Sequence, residues 1–214
     1  MNKSTEDGPA LICIPDITGF TRFMAENDIE FSRKIIPQLL RNIVNSNSLK
    51  LTVGEIEGDA VVFYRFGTLP SLKELVEQCK MFYLNFNDQL KTLMDEFADD
   101  FQKNASSNRL SLKVIVHAAE MTSTHIEGFP KLIGRDVVLV HKLLKNNVKE
   151  SEYILLTEKL LANYADNDKA TVFDWDQLKP GKDEYDYIGS VDYSYVVLNP
   201  LMKAASVTTG KSEQ

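Results

Sequence analysis

Runs of hydrophobic residues along the chain predict a set of strands, several of which come in pairs. Residues 110–117 begin as an alternating strand and become apolar on both faces, and we expect residues 120–126 to form a second strand that pairs with them. We also expect a closing pair of strands, residues 171–175 and 190–198, with a turn near residue 180. The other predicted strands are residues 10–15, two strands within residues 51–64 that flank a glycine-containing turn, and residues 153–157.

Hydrophobic residues that recur every three or four positions predict amphipathic helices between these strands. The longest covers residues 71–101, with Ser71 and Glu74 forming a capping box at its start. At about 1.5 Å per residue it would span roughly 45 Å, so we expect its far end to fray or bend. Pro37 interrupts a helix predicted over residues 30–45. Further helices are predicted at residues 19–27, from residue 135 onward and at residues 158–164.

This order of elements predicts an α+β fold. Paired strands that alternate with helices are typical of an antiparallel or mixed sheet with helices on one face. The 214 residues suffice for one hydrophobic core, and no repeat or linker divides them, so we expect a single domain over residues 8–200. Residues 203–214 are polar and are expected to form a disordered tail.

Charge and cysteine content narrow the function classes. The net charge is −7, without a dense cluster of Lys or Arg, which argues against duplex nucleic acid and anionic membrane surfaces as partners. Cys13 and Cys79 lack a ligand-like spacing and are expected to be buried thiols. No apolar run approaches ~18 residues and the N-terminus lacks a signal-type apolar core, so a cytoplasmic protein is expected.

Two aspartates next to apolar strands are the strongest candidates for chemistry. Asp16 follows residues 10–15, and Asp59 follows Gly58 between the two strands within residues 51–64. We expect both carboxylates to be partly desolvated, close to backbone N–H groups and without a neighbouring Lys or Arg as partner. Two such carboxylates repel each other when brought together, and a divalent cation relieves that repulsion. The alternative is a pair of ordinary turn residues, since Asp is common in turns.

Other ionisable side chains give weaker signals. Glu55 and Glu57 alternate with Asp59, so we expect the three acids to share one face. The histidines fall on three separate predicted elements, which favours structural roles over a shared zinc site: His117, His125 and His141.

Four short segments carry a family resemblance. They are residues 16–21 (DITGFT), 55–60 (EIEGDA), 114–120 (VIVHAAE) and 133–137 (IGRDV). In this order and at these intervals they resemble the motifs of the class III nucleotidyl cyclase catalytic domain, the adenylate and guanylate cyclase fold. The similarity covers about residues 8–198 and is greatest to a small uncharacterised bacterial branch of that superfamily. It implies a ferredoxin-like βαββαβ core, a mainly antiparallel sheet with helices packed on it.

The resemblance also implies a reaction and a set of ligands. A nucleoside triphosphate is cyclised when its 3′-oxygen attacks the α-phosphorus and expels pyrophosphate, with two Mg²⁺ or Mn²⁺ ions. The metals would be held by Asp16 and Asp59, assisted by the backbone carbonyl of Ile17. Phosphate oxygens would contact backbone N–H groups at a helix start, around Gly19, Phe20 and Thr21.

Two positions would recognise the base. Glu55 matches one of the family's purine-recognising positions, and Lys131 falls at the other. A carboxylate accepts hydrogen bonds from the N–H donors of guanine or uracil, and an ammonium donates to their carbonyl oxygens, so both bases are expected before adenine. The alternative is that Glu55 and Lys131 are solvated surface charges.

Two positions depart from the family pattern. Val138 stands where the family has the Asn that orients the ribose, and it cannot form that hydrogen bond. Lys142 stands at the transition-state Arg, where it keeps the charge but loses the bidentate fork. Each lost transition-state donor commonly costs about 10²–10³ in rate, so these two departures are compatible with a metal-binding domain that is slow or inactive.

Three functions therefore remain open from the sequence. The first is a metal-dependent nucleotidyl cyclase, which is expected to form a homodimer because the family's active sites lie between two domains. The second is a catalytically inactive nucleotide-binding or sensory module on the same fold. The third is a ferredoxin-like interaction domain that binds no nucleotide.

Overall fold

The computed structural model describes residues 5–103 and 109–202. Its strands are β1 (Glu6–Thr18), β2 (Thr52–Glu57), β3 (Ala60–Phe66), β4 (Ser111–Ile126), β5 (Phe129–Ile133), β6 (Tyr153–Thr157), β7 (Lys179–Tyr185) and β8 (Gly189–Val197). Its helices are α1 (Phe20–Glu26), α2 (Ile29–Asn45), α3 (Leu72–Glu96), α4 (Ala98–Lys103), α5 (Arg135–Leu143), α6 (Glu158–Leu161) and α7 (Asp166–Val172). The tail predicted from residue 203 lies outside the described residues.

A single sheet organises the described part of the chain. Its strand order is β2-β3-β1-β4-β6-β8-β7, and β5 pairs with β4 off this path. Within it, β4 and β6 run parallel, and the other neighbouring strands run antiparallel. The first four strands have the order β2-β3-β1-β4, with helices between β1 and β2 and between β3 and β4. This is the predicted ferredoxin-like βαββαβ core, so the fold class is confirmed.

Hydrophobic clusters cover both faces of the sheet. On one face, α2 and α3 pack on alternate residues of the central strands, such as Leu11, Cys13 and Val116. The intervening residues, such as Ile12 and Ile115, face the opposite side and pack with α5. Helices therefore lie on both faces, and not on one face as the pattern predicted. No helix in residues 5–103 or 109–202 is long and apolar enough to cross a membrane.

The prediction that residues 120–126 pair with residues 110–117 is wrong. Residues 120–126 do not turn back on residues 110–117 but continue the same strand, β4. The reason is the long ladder with β1, which runs from the pair Glu6 and Ser123 to the pair Thr18 and Ser111 and holds β4 extended. The strand that turns back on β4 is β5, after a turn at residues 127–128.

The closing strand pair also differs from the prediction. Residues 171–175 form the end of α7 and a loop, where the partly buried Phe173 and Trp175 pack against the core. The partner of β8 is instead β7, which contains Pro180 and Gly181, the residues expected in the turn. Side-chain packing of this aromatic segment therefore overrides its preference for strand.

The long helix ends earlier than predicted but begins where expected. Ser71 and Glu74 form the capping box at the start of α3. The helix stops at Phe97, and α4 follows, which confirms the expected bend at its far end. Pro37 is accommodated inside α2, which runs without a break from Ile29 to Asn45.

Candidate functional site

Asp16 and Asp59 approach each other where β1 passes the turn between β2 and β3. Asp16 lies within β1, in register with Ala60 of β3 and Lys113 of β4. Asp59 lies in the two-residue turn immediately before Ala60. The backbone N–H of Ile17 donates a hydrogen bond to the carbonyl oxygen of Asp59 at 3.1 Å, which ties the turn to β1. The two aspartates therefore lie close together in the fold.

The two carboxyl groups influence each other electrostatically. Burial raises the pKa of Asp59, and the charge of Asp16 raises it further, to about 6, against the opposing effects of its own backbone N–H and of Lys113. Burial also raises the pKa of Asp16, although Lys113 opposes the change. Desolvation and the charge of Asp16 thus both disfavour the charged form of Asp59, whereas desolvation of Asp16 is partly offset by Lys113.

Lys113 corrects the expectation that neither aspartate has a basic partner. Its Nζ lies 3.0 Å from Oδ2 of Asp16, and both side chains are largely buried. The same ammonium donates a hydrogen bond to the carbonyl oxygen of Leu144 at 2.7 Å, just after α5. A single Lys within the apolar strand of residues 110–117 is the only signal of this contact in the sequence, and a weak one. Its partner on β1 is 97 positions away and is set by strand register alone.

The residues expected to contact phosphate begin α1, close to the aspartates. Gly19 precedes the helix with a φ of 88°, and a Cβ there would lie 2.5 Å from the carbonyl oxygen of Arg109, so only glycine fits. Phe20 and Thr21 form the first turn of α1. The ring of Phe20 lies 4.0 Å from the position of a Cβ on Gly58, next to Asp59. The start of α1 thus faces the turn that carries Asp59.

The two residues expected to recognise a base contact each other. Lys131 of β5 donates a hydrogen bond to Oε1 of Glu55 at 3.0 Å across the gap between β5 and β2. Burial raises the pKa of Glu55, but hydrogen bonds from Lys131 and Glu57 and the charges of Lys131 and His141 outweigh it and lower the pKa overall. Both residues line a cleft of about 560 Å³ between β2, β5 and α5. They are neighbours in one cleft, where the side chain of Lys131 remains exposed.

Helix α5 forms the far wall of this cleft. Leu139, Val140 and Leu143 face the sheet and are buried. Val138 lines the cleft with its side chain half exposed, and Lys142 follows one turn later, also exposed. His141 lies between them and faces Glu57, with Nδ1 3.6 Å from its Oε2. The two departures from the cyclase pattern therefore lie on the exposed side of α5.

A family model described as "Protein of unknown function (DUF2652)" matches residues 36–153, more than half of the chain. The chain belongs to the DUF2652 family. The "Uncharacterized protein Rv2561/Rv2562" of Mycobacterium tuberculosis is 26% identical over 121 residues, which are 56% of each chain. This DUF2652 chain thus spans about half the length of the curated relative it matches.

Solved structures of similar fold are nucleotidyl cyclases. The guanylyl cyclase Cya2 has a TM-score of 0.66 at 14% identity, with 92% of this chain and 94% of that chain covered. The guanylate cyclase domain of RhGC from Catenaria anguillulae in complex with GTP has a TM-score of 0.60 at 14% identity, covering 91% and 98%. The adenylyl cyclase CyaB from P. aeruginosa has a TM-score of 0.56 at 14% identity, covering 91% and 96%. The resemblance to the class III nucleotidyl cyclase superfamily is confirmed at the level of the fold.

A further group of polar residues in this DUF2652 chain lies around His117, for which the sequence predicts a structural role. The Nδ1 of His117 lies 2.8 Å from the hydroxyl oxygen of Thr157, and its Nε2 lies 3.4 Å from Oδ1 of Asp136. Lys159 pairs with the other oxygen of Asp136. Burial lowers the pKa of His117. The charge of Asp136 opposes this change, and the charge of Lys159 adds to it. His117 is buried among these partners, as expected for a structural histidine.

Proposed function

We propose that this chain binds a nucleoside triphosphate together with divalent metal ions at Asp16 and Asp59 and converts it slowly to a 3′,5′-cyclic nucleotide. The observation that carries the proposal is the approach of these two aspartates where β1 meets the β2–β3 turn. Burial, followed by the charge of Asp16, raises the pKa of Asp59 to about 6, and bound cations would stabilise its charged form. The nucleotidyl cyclase fold supports the same proposal.

The donor atoms at this site suit Mg²⁺ or Mn²⁺. Both ions prefer oxygen ligands, and the two carboxylates supply these, assisted in our proposal by the backbone carbonyl of Ile17. When bound, such metals lower the pKa of an attacking hydroxyl and neutralise the triphosphate. Lys113 already balances one carboxylate charge, so the site carries less negative charge than two free aspartates would.

Residues of this chain would hold the substrate for one displacement. The backbone N–H groups around Gly19, Phe20 and Thr21 would bind phosphate oxygens at the start of α1. The nucleotide's 3′-oxygen would form a bond to the α-phosphorus while the bond to pyrophosphate breaks, and the hydroxyl proton would leave to water. The role of α1 and the two aspartates would be to keep these atoms aligned.

The second half of the site would come from another copy of the chain. Glu55 and Lys131 line the cleft beside α5, whereas Asp16 and Asp59 lie at the β1 crossing. In a homodimer the base would bind Glu55 and Lys131 of one copy while its phosphates bind the other. Lys142 would then supply a single positive charge near the phosphates, without the fork of an arginine.

Exposed apolar side chains support such a dimer. They lie on the β4–β5 hairpin and on α5, next to the cleft: Ile126, Phe129, Ile133 and Val138. The apolar stripe of α3 packs in the core of the same chain and is therefore not available to this interface.

An inactive nucleotide-binding or sensory module is the second candidate, favoured by Val138 and Lys142 on α5. Val138 cannot hydrogen-bond to a ribose, and one ammonium replaces the bidentate donor. This candidate shares every binding residue with the first and differs only in the absence of product.

Thermal unfolding with each of the four nucleoside triphosphates, with and without Mn²⁺, tests the proposal. We expect stabilisation only when metal and triphosphate are present together, and none in Asp16→Asn or Asp59→Asn. Chromatography of the same mixtures after long incubation would then detect cyclic nucleotide. Stabilisation without product would leave the inactive module, and no stabilisation by any triphosphate would refute both.

A further inference from the structure

A second cluster of metal-ligating side chains lies in the cleft beside α5. Glu55 and Glu57 alternate on β2 and point to the same face, and His141 approaches them from α5. One ligand atom from each of the three residues lies within 4.8 Å of the other two. From this we infer that Glu55, Glu57 and His141 bind a divalent transition metal of the zinc class, at a site separate from Asp16 and Asp59.

The spacing is close to what a metal requires. Donor atoms bonded to zinc at about 2.0–2.2 Å lie roughly 3.5 Å apart in a tetrahedral site. The Nδ1 of His141 and Oε2 of Glu57 are already 3.6 Å apart. Glu57 is more than half exposed, and the ligand atoms of all three residues already lie within 4.8 Å of one another.

The charges in the cleft favour a cation. Glu55 and Glu57 are close enough to hydrogen-bond to each other, an arrangement of two carboxyl groups that needs either a shared proton or a positive ion. Lys131 compensates one of the two negative charges through its ion pair with Glu55. The second charge faces the imidazole of His141, which is a metal ligand when neutral. A cation bound by Glu57 and His141 would compensate it.

The chemistry of the donors selects the metal. Imidazole nitrogen with carboxylate oxygens suits zinc, cobalt and nickel, whereas Mg²⁺ and Ca²⁺ prefer oxygen alone. The site at Asp16 and Asp59 offers only oxygen ligands, so the two sites differ in the ions they would bind. Three protein ligands leave a fourth position open toward the cleft of about 560 Å³.

One consequence rests on the proposed function. Glu55 cannot coordinate a metal and accept hydrogen bonds from a base with the same oxygens. Zinc and a nucleoside triphosphate would therefore compete for the cleft, and zinc would act as an inhibitor.

Cobalt(II) provides a direct probe, because its visible absorption reports four- or five-coordinate nitrogen and oxygen ligation. We would titrate the full chain with Co²⁺ and then displace it with Zn²⁺. The matched variants are His141→Gln and Glu57→Gln, both at partly exposed side chains, with His125→Gln as the histidine control on β4. Loss of a ligand should weaken metal binding by at least about tenfold. Altering the groups that merely orient the ligands already weakens metal binding by about 10- to 100-fold.

The outcomes separate this inference from the proposed function. Co²⁺ absorption that is lost in His141→Gln and Glu57→Gln but kept in His125→Gln and Asp59→Asn would support the site. Equal absorption in all variants, or none in the unaltered chain, would overturn it. Zinc binding at this cluster in a protein that binds no triphosphate would keep the metal site and refute the nucleotide proposal.

Discussion

The ammonium of Lys113 lies 3.0 Å from the carboxylate of Asp16, in the middle of the sheet and largely out of solvent. The pair joins β4 to β1 at the point where Asp59 also approaches. A fixed positive charge is thus part of a site that would otherwise hold two facing carboxylates. If the proposed cations bind here, stability and cation binding should therefore be coupled at this site.

Replacing Lys113 with Met should destabilise the metal-free protein. The substitution leaves Asp16 buried without its partner, and breaking a buried pair in this way typically costs roughly 3–5 kcal/mol. Urea unfolding in the presence of a chelator measures the loss. Adding Mn²⁺ should recover part of it, because a bound cation replaces the missing charge.

Lys142→Met is the matched control for Lys113→Met. Lys142 is exposed on α5, so its loss should change the free energy of unfolding by less than about 0.5 kcal/mol. If Lys113→Met also left stability unchanged, the pair with Asp16 would not hold the strands together in solution.

The two aspartates should respond oppositely to neutralisation. Asp59→Asn removes a carboxylate whose charged form is opposed by burial and by Asp16, so the metal-free protein should melt higher at pH 7.5, by about 2–4 °C. Asp16→Asn removes the partner of Lys113 and should melt lower. Differential scanning calorimetry in chelator compares them, and equal shifts of one sign would contradict the electrostatic account.

The fold could be predicted from sequence because its signals are local. The strand at residues 153–157 and the capping box at Ser71 and Glu74 depend on neighbouring residues alone, and the structure has both as expected. The continuation of β4 past residue 117 could not be predicted, because its extended conformation is imposed by the β1 ladder.

The same distinction applies to the candidate site. Asp16 and Asp59 stand in recognisable motifs, so their association could be anticipated. The partners of the charged residues could not, since Lys113 reaches Asp16 and Lys131 reaches Glu55 only through strand register and the fold of β5. Pairwise side-chain contacts across strands leave little trace in one sequence.

The preference for one nucleotide base over another should depend on which of the two positions, 55 or 131, carries the carboxylate and which carries the ammonium. The unaltered protein should bind guanosine or uridine triphosphate about 10–100 times more tightly than adenosine triphosphate, the effect of about 1–3 kcal/mol for one mismatched polar contact. Glu55→Lys should narrow or reverse this preference. Titration calorimetry with Mn²⁺ measures all four affinities.

The double variant Glu55→Lys with Lys131→Glu is the control for this prediction. It keeps an ion pair across the cleft, so it should fold as well as the unaltered protein while exchanging donor and acceptor. Equal affinities for all four triphosphates in the unaltered protein and in both variants would mean that neither residue faces a base.

Self-association should depend on the apolar tip of the β4–β5 hairpin. Phe129 is 74% exposed, and burying such a side chain contributes about 1.5–3 kcal/mol, so Phe129→Ser should weaken the dimer by tenfold or more. Sedimentation velocity at tens of micromolar protein, with metal and triphosphate present, measures the dimer fraction. Tyr187→Ser, at an exposed aromatic in the β7–β8 turn, is the matched control and should not change it.

His117 should make the protein less stable in mild acid. Burial and the charge of Lys159 lower its pKa in the folded state despite Asp136, so the native protein keeps the imidazole neutral. In the unfolded chain the imidazole takes up a proton near its ordinary pKa of 6.5. Stability that is present above this pH is therefore lost as the pH falls below it.

His117→Gln removes this titration while keeping a polar side chain near Thr157 and Asp136. The variant should be less stable than the unaltered protein at pH 7.5, because the contact with the Thr157 hydroxyl is lost. The difference in free energy of unfolding should then shrink as the pH is lowered to 5.5, since only the unaltered protein bears the cost of keeping His117 neutral. Urea unfolding at several pH values measures both curves. A difference that stays constant across this range would show that His117 titrates equally in the folded and unfolded states.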